Sequence, residues 1–459
     1  MKTNTLDFDA QALRERILDL AMRGKLVPQD PNNEPASTLL KSCDLKSANE
    51  QPHVIPRSWE WIVLGSAVKF INGRAYKKAE LLEDKSLTPV LRVGNLFTNS
   101  SWYYSDLQLD PDKYIDNGDL IYAWSASFGP RIWDGGHVIY HYHIWKLVLD
   151  QVVDKNYLYY FLLDKRNVIG ETDLHGSTMK HITKTNMEHL SFPLPPLIEQ
   201  QRIAAKIAQL FALLRKVESS TQQYAELQTL LKTKVLDLAM RGKLVKQDPN
   251  DESASVLLEK IKTEKAELVK EKKIKKSEPF PPITDEEKPF DIPDSWEWAR
   301  LGDVAKKITD GTHNPPPNSH SGKQLISAIN IKNGKIDFKL SNRFVTDSQF
   351  EKEDKRTHIR KGDVLLTIVG SLGNAAIVEN DKLFTAQRSV AIISSDLLSK
   401  YLYYSLTSKM FQEQIFNNAK GTTQRGIYLK KLSGLILPLP PINEQCRIVN
   451  KINELYWLI

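Results

Sequence analysis

The sequence predicts an α+β protein in which two mixed α/β domains are joined by long antiparallel coiled-coil helices, with a pseudo-two-fold internal repeat. Three observations predict it. Residues 18–27, LDLAMRGKLV, recur at 236–245, and the PQDPNNEPASTLL and KQDPNDESASVLL that follow match as closely. Apolar residues at a strict 4,3 spacing run through 203–238. Between the helical landmarks, 55–195 and 291–440 are rich in short β-like runs and turn signals.

The repeat spans the whole chain. IPRSWEWIVLG at 55–65 returns as IPDSWEWARLG at 292–302, and Gly118-Asp119 as Gly362-Asp363. Tyr157-Leu158-Tyr159-Tyr160 returns as Tyr401-Leu402-Tyr403-Tyr404, Gly176 as Gly421, and FPLPPLIEQQRI at 192–203 as LPLPPINEQCRI at 437–448. The offset grows from 218 to 237 to 245, so insertions separate fixed landmarks. The halves share a frame and differ in what it carries.

Six segments follow in order. Residues 1–54 form an N-terminal helix and linker, with Leu13, Ile17 and Leu20 at the positions of Leu231, Val235 and Leu238. Residues 55–195 are the first variable domain, with strands expected at VLRVGN (90–95) and GDLIYAW (118–124) and a helix at YLYY. Residues 196–245 form a central helix whose seam reads Ile203, Ile207, Leu210, Leu214, Val217, Thr221, Tyr224, Gln228, Leu231, Val235 and Leu238. A seam with polar side chains only at Thr221 and Gln228 is a coiled-coil pattern, spanning roughly 50 Å at 1.5 Å per residue. The preceding PLPP is a natural N-terminal stop, and Gly242 lies where a C-cap belongs. Residues 246–290 are a charged linker, whose mixed-sign run EKIKTEKAELVKEKKIKK at 259–276 suits a solvated helix or linker surface better than phosphate binding. Residues 291–440 are the second variable domain, with LISAIN (325–330) and GDVLLTIVG (362–370) matching the first. Residues 441–459 form a C-terminal helix with Ile448, Ile452, Leu455 and Ile459 on its seam, which with the N-terminal helix completes a second arm. The competing view, ordinary amphipathic connectors, is less consistent with heptads held over this length.

Composition narrows the function classes. The chain has 459 residues, 41% hydrophobic and 26% charged, ordinary values for a soluble globular protein. No apolar run approaches the roughly 20 residues of a membrane span, and MKTNTLDFDAQALRER lacks a secretory core, so a cytoplasmic location without membrane contact is expected. Cys43 and Cys446, the only cysteines, exclude a disulfide framework and a cysteine zinc site. A net charge of +7 tilts towards an anionic partner. Its distribution is uneven: 55–195 holds 15 Lys+Arg against 16 Asp+Glu, and 291–440 holds 21 against 15. If the first domain binds DNA, a few clustered side chains do it.

Recognition chemistry belongs on loops where the copies diverge. In the first domain these are Asn72, Arg74, Tyr76, Lys77 and Lys78; Arg92 and Asn95; Ser125, Ser127 and Arg131; and His175, Ser177, Thr178 and Lys180. In the second they are Thr312, His313 and Asn314; Asn330 and Lys332; Ser371 and Asn374; Gln387 and Arg388; and Thr422, Thr423, Gln424 and Arg425. Arg suits guanine, Asn and Gln suit adenine, and Ser, Thr and Lys hold phosphates. Any one of these is equally a solvated loop side chain; the group carries the expectation. Trp59, Trp61, Trp296 and Trp298, repeated at the domain entrances, are read as core rather than base-stacking platforms. His141 and His143 lack a third ligand at convincing spacing and are read as structural, leaving no metal site.

Enzyme signatures fail one by one. His313-Asn314-Pro315-Pro316 approximates the N-P-P motif of amino-methyltransferases, but Pro317 stands where the aromatic belongs and no glycine-rich cofactor loop accompanies it. Ser321-Gly322-Lys323-Gln324 fails as a phosphate loop, with Pro317 at the leading glycine and Gln324 in place of Ser/Thr. No carboxylate-pair-plus-lysine nuclease arrangement stands out. No catalytic residue is expected.

LRERILDLAMRGKLVPQDPNNEPAS, the two IPxSWEWxxLG segments, the Gly-Asp strands and the two PLPPxxEQxRI segments together resemble the specificity subunit of type I restriction-modification systems, over essentially the full chain. The resemblance implies two target-recognition domains, each reading one half of a bipartite double-stranded DNA sequence. It implies helical regions that dock two modification subunits, which bind S-adenosylmethionine and methylate adenine, and restriction subunits that use ATP and Mg, so this chain needs no cofactor of its own. Two other classes remain open on the residues alone: a stand-alone DNA methyltransferase or nuclease with duplicated recognition domains, and a coiled-coil spacer carrying protein-binding domains.

Overall fold

The computed structural model describes residues 8–97, 100–125, 128–169, 183–274, 278–341, 343–421 and 425–459. The chain divides into two compact units, Met1–Gln223 and Tyr224–Ile459, with the boundary inside one continuous helix, Leu197–Met240. Each unit is built in the same order: an AMRGKLV helix, a SWEW strand, a domain, a PLPP strand and an EQxRI helix.

In the first unit the Ala10–Met22 helix begins where the Asp9 carboxylate accepts from the Ala12 N–H at 2.9 Å. It ends at Gly24, whose φ of +63° disfavours any side chain and whose absent Cβ would lie 2.4 Å from Pro56. In the second unit, the same turn recurs at Gly242, with φ +66° and Pro293 at 2.4 Å. Each turn thus lays the helix end against its own SWEW segment.

That segment forms a two-stranded antiparallel ribbon with the PLPP segment: Glu60–Val63 with Ser191–Leu194, and Glu297–Arg300 with Ile436–Leu439. Within each domain sits a four-stranded antiparallel sheet of the same order. Its strands are Val68–Asn72, Ile144–Leu149, Leu120–Ala123 and Gly129–Ile132 in the first, and Ala305–Asp310, Val390–Ser395, Val364–Thr367 and Ala375–Ile377 in the second. A smaller sheet contains one parallel pair in each domain, Thr88–Leu91 with Val138–Tyr140 and Lys323–Ile326 with Phe384–Ala386. The predicted mixed α/β domain made twice is therefore present strand for strand in its larger sheet.

Tyr157 and Tyr401 explain the YLYY repeat. Both are fully buried, and their hydroxyls donate to the carbonyls of Pro193 (3.0 Å) and Pro438 (2.7 Å), tying the Lys155–Leu163 and Ser399–Thr407 helices to the PLPP strands. The neighbouring glutamines act alike: Gln200 Oε1 accepts from Asp154 N at 2.7 Å and Gln445 Oε1 from Leu398 N at 3.1 Å. Their amides close back on the Pro195 and Pro440 carbonyls.

The glutamates of EQxRI are buried at the centre of each frame. Glu444 accepts from Gln247 Nε2 at 2.7 Å and from the Trp296 indole at 2.9 Å. Glu199 accepts from Gln29 Nε2 at 2.5 Å, with the Trp59 indole beside it in poorer hydrogen-bond geometry. Burial pushes both carboxyls above the usual range, partly opposed by these bonds. Trp59, Trp61 and Trp296 are buried, as core tryptophans should be.

Helix packing departs from the expected continuous seam. In the first unit Leu18, Ala21 and Met22 pack in one core with Ile203, Ala204, Ile207 and Phe211, while Ile17 and Leu214 are half-buried against it. An ion pair between Arg14 and Glu218 at 2.5 Å and the Gln29–Glu199 bond fix the pair as antiparallel. In the second unit Val235, Leu236, Ala239 and Met240 pack with Ile448, Val449 and Ile452, and Leu455 and Ile459 border them. The Tyr456 hydroxyl donates to the Lys232 carbonyl, again antiparallel. Leu210 and Leu238 are half-buried, Leu20 likewise, and Leu13, Val217, Tyr224 and Leu231 are exposed. The buried line advances by four residues, 203–207–211, because the helix also packs on the YLYY helix of its domain; an interface wider than two helices needs a broader stripe than a heptad seam.

The charged 246–290 segment carries a helix that is exposed along most of its surface and packs on the second domain through a few residues. Its Ala254–Lys270 helix buries Ala254 and Ile261 in the core of the second domain, and Lys265 donates to the Gly302 carbonyl at 2.6 Å. The Arg300 guanidinium then holds the 281–287 stretch through the Pro281 carbonyl and a bidentate pair with Glu287 at 2.9 and 3.0 Å.

Candidate nucleic-acid interface

One backbone arrangement builds the same loop cluster in both domains. The turn after Tyr140 carries His141-Tyr142-His143, and the turn after Ala386 carries Gln387-Arg388-Ser389. In the first, Arg74 N donates to Tyr140 O (3.1 Å), Tyr142 N to Arg74 O (3.1 Å), His141 N to Leu91 O (2.9 Å) and Trp124 N to His143 O (3.1 Å). In the second, Thr312 N donates to Ala386 O (2.8 Å), Arg388 N to Thr312 O (3.0 Å), Gln387 N to Ile326 O (2.8 Å) and Ile368 N to Ser389 O (2.9 Å). Four matched bonds join loops from four strands. Gly73 and Gly311 permit the crossing, since a Cβ there would lie 2.3 and 2.0 Å from the carbonyls of Tyr140 and Ala386.

Against this cluster the predicted residues sort into three groups. Arg74, Arg92, His313, Gln387 and Arg388 stand on or beside the crossing loops, with Tyr76 stacked on His141 at 6.4 Å. Arg74 is held by Glu80 at 2.8 Å, and Arg92 lies over Tyr103 at 4.4 Å and bonds the Ser101 carbonyl. His313 and Arg388 are exposed; with Asp310, Lys420 and Tyr428 they line a cavity of about 480 Å³. Arg425 is also exposed, and its carbonyl accepts from Gly370 N. Asn72 at the end of its strand, Lys77, Lys78, Asn314, Lys332 and Ser371 are exposed, and Ser125 is half-buried.

A second group is bonded into the frame, and of these Asn330 and Thr312 are buried, which takes those two side chains away from the surface expected of them. Asn330 is fully buried; its Oδ1 accepts from Ser327 N (2.9 Å) and its Nδ2 donates to Asp337 O (2.9 Å). Asn95 does the same, accepting from Arg92 N (3.1 Å) and donating to Ser101 O (2.7 Å). These asparagines cap a turn in both copies. Thr312 is buried with its hydroxyl on the Asn314 carbonyl, Asn374 donates to the Ser371 carbonyl, and Arg131 is occupied by the Leu96 carbonyl and Asp134. The third group, Ser127, His175, Ser177, Thr178, Lys180, Thr422, Thr423 and Gln424, lies outside the described residues.

Besides the residues expected from sequence, the crossing loops bring together Trp124, His141, Tyr142 and His143. His141-Tyr142 stands 246 positions before Gln387-Arg388, and it is the matched hydrogen bonds, not a sequence motif, that align the two loops. Among the described residues no group of three His, Cys, Asp or Glu is placed to hold a metal ion, and no helix is long and apolar enough to cross a membrane. Both cysteines are free thiols.

Divergent polar and aromatic side chains on a shared, duplicated frame define a class of recognition proteins. The family model for the type I restriction modification DNA specificity domain matches residues 56–229 and 293–457, and the chain belongs to that family. It is similar to the type I restriction enzyme EcoAI specificity subunit of Escherichia coli, 30% identical over 98% of this chain and 89% of that one. The EcoEI specificity subunit of the same species is 28% identical over the same shares. A solved chain described as the structural basis underlying complex assembly and conformational transition of the type I R-M system has the same fold, with 19% identity, a TM-score of 0.55 and coverage of 89% of this chain and 92% of that one.

Proposed function

We propose that the protein is the sequence-reading subunit of a type I restriction-modification complex, in which each unit reads one half of a bipartite double-stranded DNA target. The observation that carries this reading is the matched pair of loop clusters: one set of backbone bonds presents His141-Tyr142-His143 in one domain and Gln387-Arg388-Ser389 in the other. A frame that keeps its backbone and changes its side chains suits two unlike half-sites. The chain itself performs no chemistry. Two modification subunits supply S-adenosylmethionine-dependent adenine methylation, restriction subunits supply ATP- and Mg-dependent cleavage, and the complex works in the cytoplasm. Because a base must leave the stack to be methylated, the recognition domains need only hold DNA beside the partner's pocket.

The test is methylation mapping. The purified chain alone neither methylates nor cuts DNA; with modification subunits and S-adenosylmethionine it directs adenine methylation to a bipartite sequence. Arg388→Ala relaxes one position of one half-site by about 1–3 kcal/mol if the guanidinium pairs with guanine. Methylation by the isolated chain, or methylation by the complex without sequence preference, contradicts the reading.

A further inference from the structure

In the first domain the two arginines on the crossing loops are engaged within the fold, while Lys77 and Lys78 nearby are exposed. Arg74 pairs with Glu80, and Arg92 lies over Tyr103. What the cluster presents instead is aromatic. Trp124 stacks on buried Trp145 at 5.7 Å and donates its indole N–H to the Tyr142 carbonyl at 2.9 Å. His143 meets Trp124 edge-on at 5.0 Å, Tyr142 and His143 are 4.0 Å apart, and His141 lies 4.8 Å from His143. Tyr142 is 38% exposed at the tip. Burial, with His143 and Arg92 nearby, lowers the His141 pKa to about 4, so that ring is uncharged at neutral pH. The matched place in the second domain has Ile368 under Gln387-Arg388-Ser389, with the Arg388 side chain exposed.

We propose that Tyr142 and His143, seated on Trp124, form the base-reading shelf of the first domain and recognise the methyl-bearing edge of a thymine by aromatic contact. This rests on the function proposed above and adds its chemistry: one half-site is read by aromatic rings, the other with a guanidinium. Apolar and aromatic side chains distinguish thymine in the major groove through its C5-methyl group, whereas arginine selects guanine. Because Trp124 is braced from beneath by Trp145 and pinned through its N–H, the shelf is ordered before DNA arrives. Rigid aromatic contacts lose little entropy on binding.

The experiment uses the full chain assembled with its modification subunits, and the bipartite duplex found by methylation mapping, with the first domain's half-site assigned by domain exchange. Replacing thymine by uracil at one position of that half-site weakens binding roughly three- to fivefold, the value of one methyl group removed from water. In Tyr142→Ala the same replacement costs nothing, and preference at that position relaxes while the other half-site is still read. His143→Gln, which keeps a hydrogen-bonding side chain of similar reach, serves as the second variant, and thermal melting separates lost folding from lost reading. If both variants fold and keep the wild-type preference at every position, or if uracil is tolerated throughout that half-site, the shelf is overturned and the proposed function stands. If the wild-type complex shows no sequence-dependent binding, the functional reading falls and the shelf with it.

Discussion

Glu199 and Glu444 show at the residue scale why EQxRI, RGKLVxQDP and SWEW repeat together: one buried carboxylate bonds Gln29 and faces Trp59, the other bonds Gln247 and Trp296. A carboxyl raised by burial holds its proton more tightly folded than unfolded, so its contribution to stability declines as pH rises from the ordinary value of 4.5 through the raised one. Glu444→Gln therefore flattens the pH dependence of melting in that window, and melting curves at pH 5 and pH 8 check it; a variant with the wild-type slope contradicts the assignment. Gly311→Ala places a Cβ 2.0 Å from the Ala386 carbonyl and is expected to cost roughly 1–3 kcal/mol by overpacking, read in chemical denaturation. Such positions were partly legible in the sequence. The motifs stand out as motifs, but Asn95 and Asn330 look like readers, because a turn cap and a base contact ask for the same amide and only the bonds made in the fold distinguish them.

At the scale of elements, the helices were legible as helices and less so in what they pack against. A 4,3 count places Val217 on the seam and leaves Phe211 off it, whereas Phe211 is buried and Val217 exposed. Phe211→Ala should cost about 3–5 kcal/mol and Val217→Ala less than about 0.5; equal losses in urea denaturation would restore the heptad seam. Periodicity records the axis of a helix, while the width of its buried stripe depends on neighbours distant in sequence. The YLYY helix is that neighbour here, tied in by Tyr157 and Tyr401. Most of the helical charges in the 259–276 run are exposed, and they mask Ile261, an apolar residue that joins the Ala254–Lys270 helix to the second domain. Ile261→Ala should lower stability by about 2–5 kcal/mol, an effect no solvated linker would produce.

Over the whole molecule the duplication was the most legible feature, since offsets drifting from 218 to 245 keep the motifs in order. The structure adds that each copy is a complete unit with its own antiparallel helix pair, sheets and loop cluster. The unlike side chains of the two clusters could be found only after matched hydrogen bonds aligned the loops, because no sequence motif marks them. From this follows the central claim, that two equivalent frames read two half-sites independently. Its most direct test replaces residues 55–195 with the corresponding domain of a relative and maps adenine methylation by the assembled complex. The account predicts one half-site changed to that of the donor and the other retained; coordinated change in both halves, or no change in either, would contradict it.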